Sequence, residues 1–317
     1  MLVLEGEAAT RIRTASFSFR VRPREPMVLP AYKGSALRGG FGHAFRRVVC
    51  ALKRKECADC LLRDRCVYAY VFETPPPEGT QMMRKYTSAP HPFVIEPPPE
   101  TRRGYTPEDE MTFGLILIGR AIDYLPYFVY AFDELGRIGL GRGNAGFDLL
   151  DVGCSGMSIY DAEARTLGRF DPVSLDISFP APSVSGTGPL TLRFLTPTRI
   201  VYSGRLTLDI EFHMLIRNLL RRLSLLHYFH CDGEPPRWDF REIIKAAEHV
   251  QVEDRSLRWY DWQRYSARQK TRMKMGGFVG EATFSGHTGP FMDLIRAGEV
   301  LHVGKGTAFG LGRYEAV

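Results

Sequence analysis

Ala15 to Arg22 alternates, with Phe17, Phe19 and Val21 on one side and Ser16, Ser18 and Arg20 on the other, which predicts a half-buried strand. Prolines 23, 26 and 30 end it. From Gly34 to Leu52 the apolar positions Leu37, Phe41, Phe45, Val48 and Leu52 form one helical stripe, leaving His43, Arg46 and Cys50 opposite it. Further on, the pattern predicts strands at Val67 to Phe72, Pro92 to Glu96 and Met111 to Ile118, with proline-rich loops at Thr74 to Gly79 and Pro97 to Pro107. A helix over Ile122 to Leu135 tolerates Pro126 near its start. Strands at Phe147 to Val152 and Met157 to Tyr160 follow. Pro180 to Pro189 reads as a linker. Beyond it come strands at Leu190 to Phe194 and Arg199 to Tyr202, helices over Asp209 to Tyr228 and Phe240 to His249, strands between Val252 and Phe284, and a helix over Pro290 to Leu301. Each half therefore fits a β-α-β-β-α-β sandwich, an α+β class with domains at 1–182 and 187–317.

The chain closes on Gly304-Lys305-Gly306-Thr307-Ala308-Phe309-Gly310-Leu311-Gly312-Arg313, where glycines permit close backbone approach and two cations bracket them. It lacks the order of a nucleotide-binding P-loop or a dinucleotide fingerprint. A polyanion across the loop is one reading, and a tight structural turn is the other. Gly141-Arg142-Gly143-Asn144-Ala145-Gly146-Phe147 echoes it after the helix of the first half, which suggests two similarly built domains.

A net charge of +6 favours an acidic partner. No apolar run is long enough to span a membrane, and the N-terminus lacks a signal core, so the expectation is a cytoplasmic protein with no membrane partner. In a reducing compartment the spacing Cys50, Cys57, Cys60, Cys66 points to metal rather than disulfides: a structural zinc, with an iron-sulfur cluster as the alternative. Cys154 and Cys231 are isolated.

Arg268, Lys270, Arg272 and Lys274 alternate, so on a strand all four share one face, near Trp259, Tyr260, Trp262 and Tyr265. That is a nucleic-acid surface or an edge strand guarded by charge. His43, beside Arg46 and Arg47, is the candidate acid or base, and His302 is its rival. Gly39, Gly40 and Gly42 would clear a path for a nucleic-acid backbone. His213, His227 and His230 read as packing or capping groups.

Tyr32 to Gly39 with His43, the cysteines, Met275 to Gly280 and the closing His302 to Gly312 resemble the CRISPR-associated endoribonucleases that cut repeat RNA, within the RAMP superfamily. The resemblance implies two tandem ferredoxin-like (RRM-like) domains, with the cysteine cluster inserted in the first. It also implies metal-independent cleavage of precursor CRISPR RNA to mature guides, leaving a 2′,3′-cyclic phosphate and a 5′-hydroxyl. His43, Tyr32 and Lys53 would be the catalytic set. Lys33, Arg38, Arg46, Arg47, Arg268, Lys270, Arg272, Lys274, Gly304, Lys305, Gly306 and Arg313 would hold repeat RNA. A non-catalytic RAMP subunit that holds guide RNA in an effector complex is the alternative, and a zinc-ribbon DNA-binding regulator a third reading. Membership of an effector complex and homodimerisation stay open.

Overall fold

β1 (Thr10–Pro23) extends the alternation seen at Ala15 to Arg22 back to Thr10, with one slip at Thr14 and Ala15. After it come α1 (Gly34–Val49), β2 (Phe93–Glu96), β3 (Met111–Ile118), α2 (Leu125–Ile138) and β4 (Phe147–Cys154). The strands pair antiparallel in the order β2-β3-β1-β4, and Phe19 stands opposite Phe113 on one neighbour and Val152 on the other. Both helices cover one face of this sheet through a phenylalanine core: Phe41 lies 5.1 Å from Phe128 and 4.9 Å from Phe132, and Phe19 4.9 Å from Phe132. Burying each such ring contributes about 1.5–3 kcal/mol. On the other face Arg20 and Arg22 share Glu110, and Arg24 pairs with Asp148, so these cations are neutralised by the sheet's own carboxylates.

The computed structural model describes residues 9–53, 56–83, 86–179, 188–266 and 271–317. One unit comprises Arg13–Val173 with Phe229–Cys231, and another chiefly Ser174–Tyr228 and Asp232–Val317. The second repeats the plan of the first with β5 (Leu190–Thr198), α3 (Phe212–His230), α4 (Phe240–Ala247), β6 (Gln251–Tyr260), β7 (Gly277–Ser285), α5 (Met292–Leu301) and β8 (Tyr314–Ala316). Its sheet order is β6-β7-β5-β8, again with the first strand between the third and fourth. α4 is the addition to that plan, and the Asp239 carboxylate caps it by accepting from the N–H groups of Arg241 and Glu242. Two tandem ferredoxin-like sandwiches are therefore present.

Val67 to Phe72, expected as a strand, is helical and ends in a π-turn at Ala69–Glu73, with Thr74 left-handed at φ 47. A strand would put Tyr68, Tyr70 and Phe72 on one side. Winding instead stacks Tyr68 on Phe72 at 5.4 Å and turns Tyr70 the other way, onto Tyr124 at 5.8 Å. α1 stops at Val49 rather than Leu52, with the Cys50 N–H closing onto the Arg46 carbonyl at 3.0 Å.

Candidate functional site

α1 turns Leu37, Phe41 and Phe45 inward and leaves His43 exposed, as the apolar stripe dictates. Its glycines divide differently from the expectation. A methyl at Gly40 would stand 2.8 Å from Leu135 Cδ1, and one at Gly42 would run into the Phe72 ring. Those two serve packing. Gly39 alone of the three faces open space, and it lies one turn before His43 on the same side of the helix. A polyanion can therefore reach the helix backbone next to the imidazole. Tyr32 precedes the helix and is half-buried, and the helix start at Gly34 already lies about 13.5 Å along the axis from His43 at 1.5 Å per residue. Lys53 follows the helix in a left-handed conformation, φ 48.

The cations expected to hold RNA around α1 are engaged by the fold. Lys33 is fully buried, its Nζ donating to the Glu100 carbonyl at 2.7 Å, 5.7 Å above the Tyr105 ring. Burial holds its ammonium below the ordinary lysine value, with the Glu100 carboxylate pulling the other way. Arg38 lies over the Phe72 ring at 4.5 Å and donates through Nη2 to His91 Nε2 at 2.8 Å. Because the guanidinium can only donate, that bond makes Nε2 the acceptor and leaves the proton on Nδ1, 3.2 Å from Thr74 Oγ1. His91 is thus a histidine held by two side chains, which sequence reading missed because nothing in its neighbourhood marks it. Arg46 stacks over Tyr68 at 5.7 Å, and Arg47 pairs with Glu134 at 3.0 Å.

In the second unit the glycine loop folds onto its own chain. Thr307 to Gly312 are buried, while Lys305 and Arg313 are exposed. The Lys305 N–H donates to the Arg199 carbonyl at 3.1 Å, and Arg199 Nη1 donates to the Gly276 carbonyl. A methyl at Gly277 would lie 2.6 Å from the Thr198 carbonyl oxygen, so the three segments meet backbone to backbone. His302, the rival candidate, is fully buried at φ 62 with Nδ1 3.1 Å from the Leu311 carbonyl, and it fixes the loop. A polyanion could meet Gly304 to Gly306 and Arg313, but not the middle of the loop.

Arg268 and Lys270 lie outside the described residues. Arg272 and Lys274 stand two apart on the hairpin strand Thr271–Lys274, which pairs with Gln263–Ser266, and Lys274 is exposed. His213, His227 and His230 bond Glu211, the Arg11 carbonyl and the Pro90 carbonyl, as packing groups do. Cys50, Cys57, Cys60 and Cys66 are half-buried free thiols in the connection between α1 and β2. Cys60 N–H closes a turn on the Cys57 carbonyl at 3.3 Å, and burial pushes the Cys57 thiol up. Among the described residues no three of His, Cys, Asp or Glu are grouped to hold a metal ion. No helix among them is long and apolar enough to cross a membrane.

The chain thus carries two ferredoxin-like halves, the second closing on a glycine-rich loop. Residues 12–171 match the family model AF_1859_N, N-terminal domain, and residues 192–314 match the model CRISPR-associated endoribonuclease Cas6. The chain belongs to the family that the first model describes, and residues 192–314 are similar to the Cas6 model. An uncharacterized protein of Archaeoglobus fulgidus is 24% identical over 288 residues, which cover 90% of this chain and 91% of that one. Among solved structures, Thermus thermophilus Cas6 superposes with a TM-score of 0.54 at 17% identity, covering 98% of this chain and 100% of that one. A partial Cas6-RT-Cas1–Cas2 complex gives 0.57 at 13% identity, covering 96% of this chain and 46% of that one. At such identities these likenesses establish the fold.

Proposed function

We propose that this protein is an endoribonuclease that binds CRISPR repeat RNA and cuts it in precursor transcripts to give guide RNA. The observation that carries the reading is the Cas6 match over residues 192–314. Exposed His43 beside open Gly39 supports cleavage over mere holding. In this mechanism His43 takes the proton of a ribose 2′-hydroxyl. The 2′-oxygen attacks the adjacent phosphorus, the bond to the 5′-oxygen of the next nucleotide breaks, and that oxygen takes a proton from water, so the products carry a 2′,3′-cyclic phosphate and a 5′-hydroxyl. Tyr32 and Lys53 would contact the RNA before and after α1, a tyrosine hydroxyl and an ammonium being groups that can offset charge on a phosphorane. No step runs through a metal.

The test is single-turnover cleavage of the organism's own repeat RNA in EDTA, with the 3′ ends of the products analysed. Cleavage that needs added magnesium or manganese, or ends that are not cyclic, would overturn the mechanism. A second reading, an RNA-holding subunit of an effector complex, is favoured by one observation: Tyr32 lies before the start of α1, whereas His43 is nine residues into it, so the two are not neighbours on the helix. RNA binding without cleavage in the same experiment selects it. The thiols at Cys50, Cys57, Cys60 and Cys66 are proposed to hold one structural metal ion, zinc or an iron-sulfur cluster. Support comes from their spacing and from the nearness of Cys50 and Cys66 to Cys57, whose negative charges would raise its thiol. Elemental analysis of anaerobically purified protein should find it, and Cys57→Ser with Cys60→Ser should release it. Protein that carries neither zinc nor iron ends that proposal.

A further inference from the structure

The two glycine turns are the same device in two copies of the fold. In the second unit Val303 N–H bonds the Gly312 carbonyl at 2.9 Å, and in the first Leu140 N–H bonds the Ala145 carbonyl at 2.9 Å. Inside each closure the first glycine presses on a carbonyl shortly beyond the first strand of its half. A methyl at Gly304 would lie 2.6 Å from the Arg199 oxygen, and one at Gly141 would collide with the Val28 oxygen. The next residue is an exposed cation whose own N–H donates to that carbonyl: Lys305 to Arg199 at 3.1 Å, Arg142 to Val28 at 3.0 Å. Beyond the closures, the Arg313 carbonyl accepts from Leu195 N–H at 2.9 Å and the Gly146 carbonyl from Arg24 N–H at 2.9 Å.

The first-half turn is the more open of the two. Arg142, Gly143 and Asn144 are all exposed, and a methyl at Gly143 would meet nothing within 4 Å. A second cation stands beside it. Leu29 N–H bonds the Arg103 carbonyl at 2.8 Å, so Arg103 flanks the Val28–Leu29 segment opposite Arg142, about 10 Å away at two strand spacings. Both guanidiniums are solvent-exposed, and among the described residues neither makes an ion pair. This contrasts with Arg20, Arg22 and Arg24, which the same unit neutralises. Two exposed arginines without carboxylate partners, beside a backbone that anything may approach, fit a phosphodiester chain.

We propose that the Gly141–Asn144 turn, with Arg103 beside it, is a second phosphodiester-binding site, through which the first half holds the RNA at the head of α1, near Tyr32. The proposal rests on the RNA reading above and adds a contact surface to it. The experiment is a titration of fluorescent repeat RNA at several salt concentrations against wild type, Arg142→Ala, Arg142→Lys, Arg103→Ala and the control Arg193→Ala. Arg193 is already held by Glu281 and Glu315. Each lost phosphate contact should flatten the slope of log K against log salt by about 0.7–0.9. Arg142→Ala and Arg103→Ala should each do so, Arg142→Lys should keep the wild-type slope, and Arg193→Ala should leave it unchanged. If wild type binds RNA and both alanine variants keep its affinity and slope, this proposal fails and the RNA reading stands. If wild type binds no RNA at any salt, both fall. Should Arg142→Ala fold poorly, Arg103→Ala decides the matter by itself, since its side chain is exposed and its anchor is its backbone carbonyl.

Discussion

Two turns with almost the same sequence face different surroundings. The first-half turn closes over Gly141–Asn144 and leaves its tip in water, whereas the second closes over Gly304–Leu311 and folds the added residues inward, Thr307–Phe309 as a 3-10 turn with Phe309 and Leu311 buried. A glycine reports that something approaches the backbone closely, and the sequence does not say whether that is a ligand or the chain itself. At Gly312 it is the chain: φ is 75 and a methyl would collide with the Val303 carbonyl oxygen. At Gly143, with φ 94, nothing is there. The comparison extends to the halves themselves. The first exposes His43 beside an open helix surface, while the histidine next to the second turn, His302, is sealed inside.

That division of labour is broken or sharpened most strongly by the histidines. His43→Ala should lower the single-turnover cleavage rate by about 10²- to 10⁴-fold with little change in RNA affinity, as loss of a general acid or base does. His302→Ala should act through stability, since its Nδ1 partner is the Leu311 carbonyl. A His43→Ala variant that cuts at the wild-type rate, while folded His302→Ala is inactive, would reverse the assignment of the halves.

The turns themselves come next in size. Forcing an L-residue into the left-handed conformation costs about 1–2 kcal/mol, so Gly143→Ala should lose roughly that much and no more. Gly312→Ala should lose more, because the Val303 carbonyl must also be displaced and with it the closure of the loop. Urea midpoints at constant m measure the difference. Equal losses would mean that the second loop is as free as the first.

The repeated β-α-β-β-α-β plan was legible because it is written in local periodicity: alternation at Phe17, Phe19 and Val21, and a helical stripe at Leu37, Phe41 and Phe45. Exposure of His43 followed from the same stripe. Val67 to Phe72 misled, since alternate aromatics satisfy a strand and a tight helix equally until Tyr68 finds Phe72. The equivalence of Gly141-Arg142-Gly143 and Gly304-Lys305-Gly306 was visible, but the echo Asn144-Ala145 with Thr307-Ala308 was not structural. In space Ala145 corresponds to Gly312, each closing its turn. The destinations of Lys33, Arg38 and Arg47 were illegible because their partners, the Glu100 carbonyl, His91 and Glu134, lie far along the chain.

Lys33 and Lys305, both expected to touch RNA, give the finest test of how the halves use their cations. Lys305 is exposed, so Lys305→Ala should flatten the salt dependence of RNA binding by about 0.7–0.9 and leave stability unchanged. Lys33 is buried, and Lys33→Met should leave that slope unchanged but alter how stability responds to pH. Its folded-state pKa lies below the ordinary 10.5. Between the two values the unfolded chain binds the extra proton, so its contribution to wild-type stability rises with pH across that window. Below the window the charged amine is buried in the folded state and its full cost is present. Buried tyrosines act in the opposite sense higher up: Tyr68 is pushed from 10.0 to about 12, so near and above pH 10 the unfolded chain loses protons that the folded one keeps, and stability falls. Urea denaturation of both proteins as pH rises towards 10.5 isolates the lysine, because the other titrations cancel in the comparison, and the wild type should rise relative to Lys33→Met. Parallel pH curves for the two proteins would show that Lys33 keeps an ordinary pKa despite its burial, and a lost salt slope in Lys33→Met would place it with Lys305 among the RNA contacts.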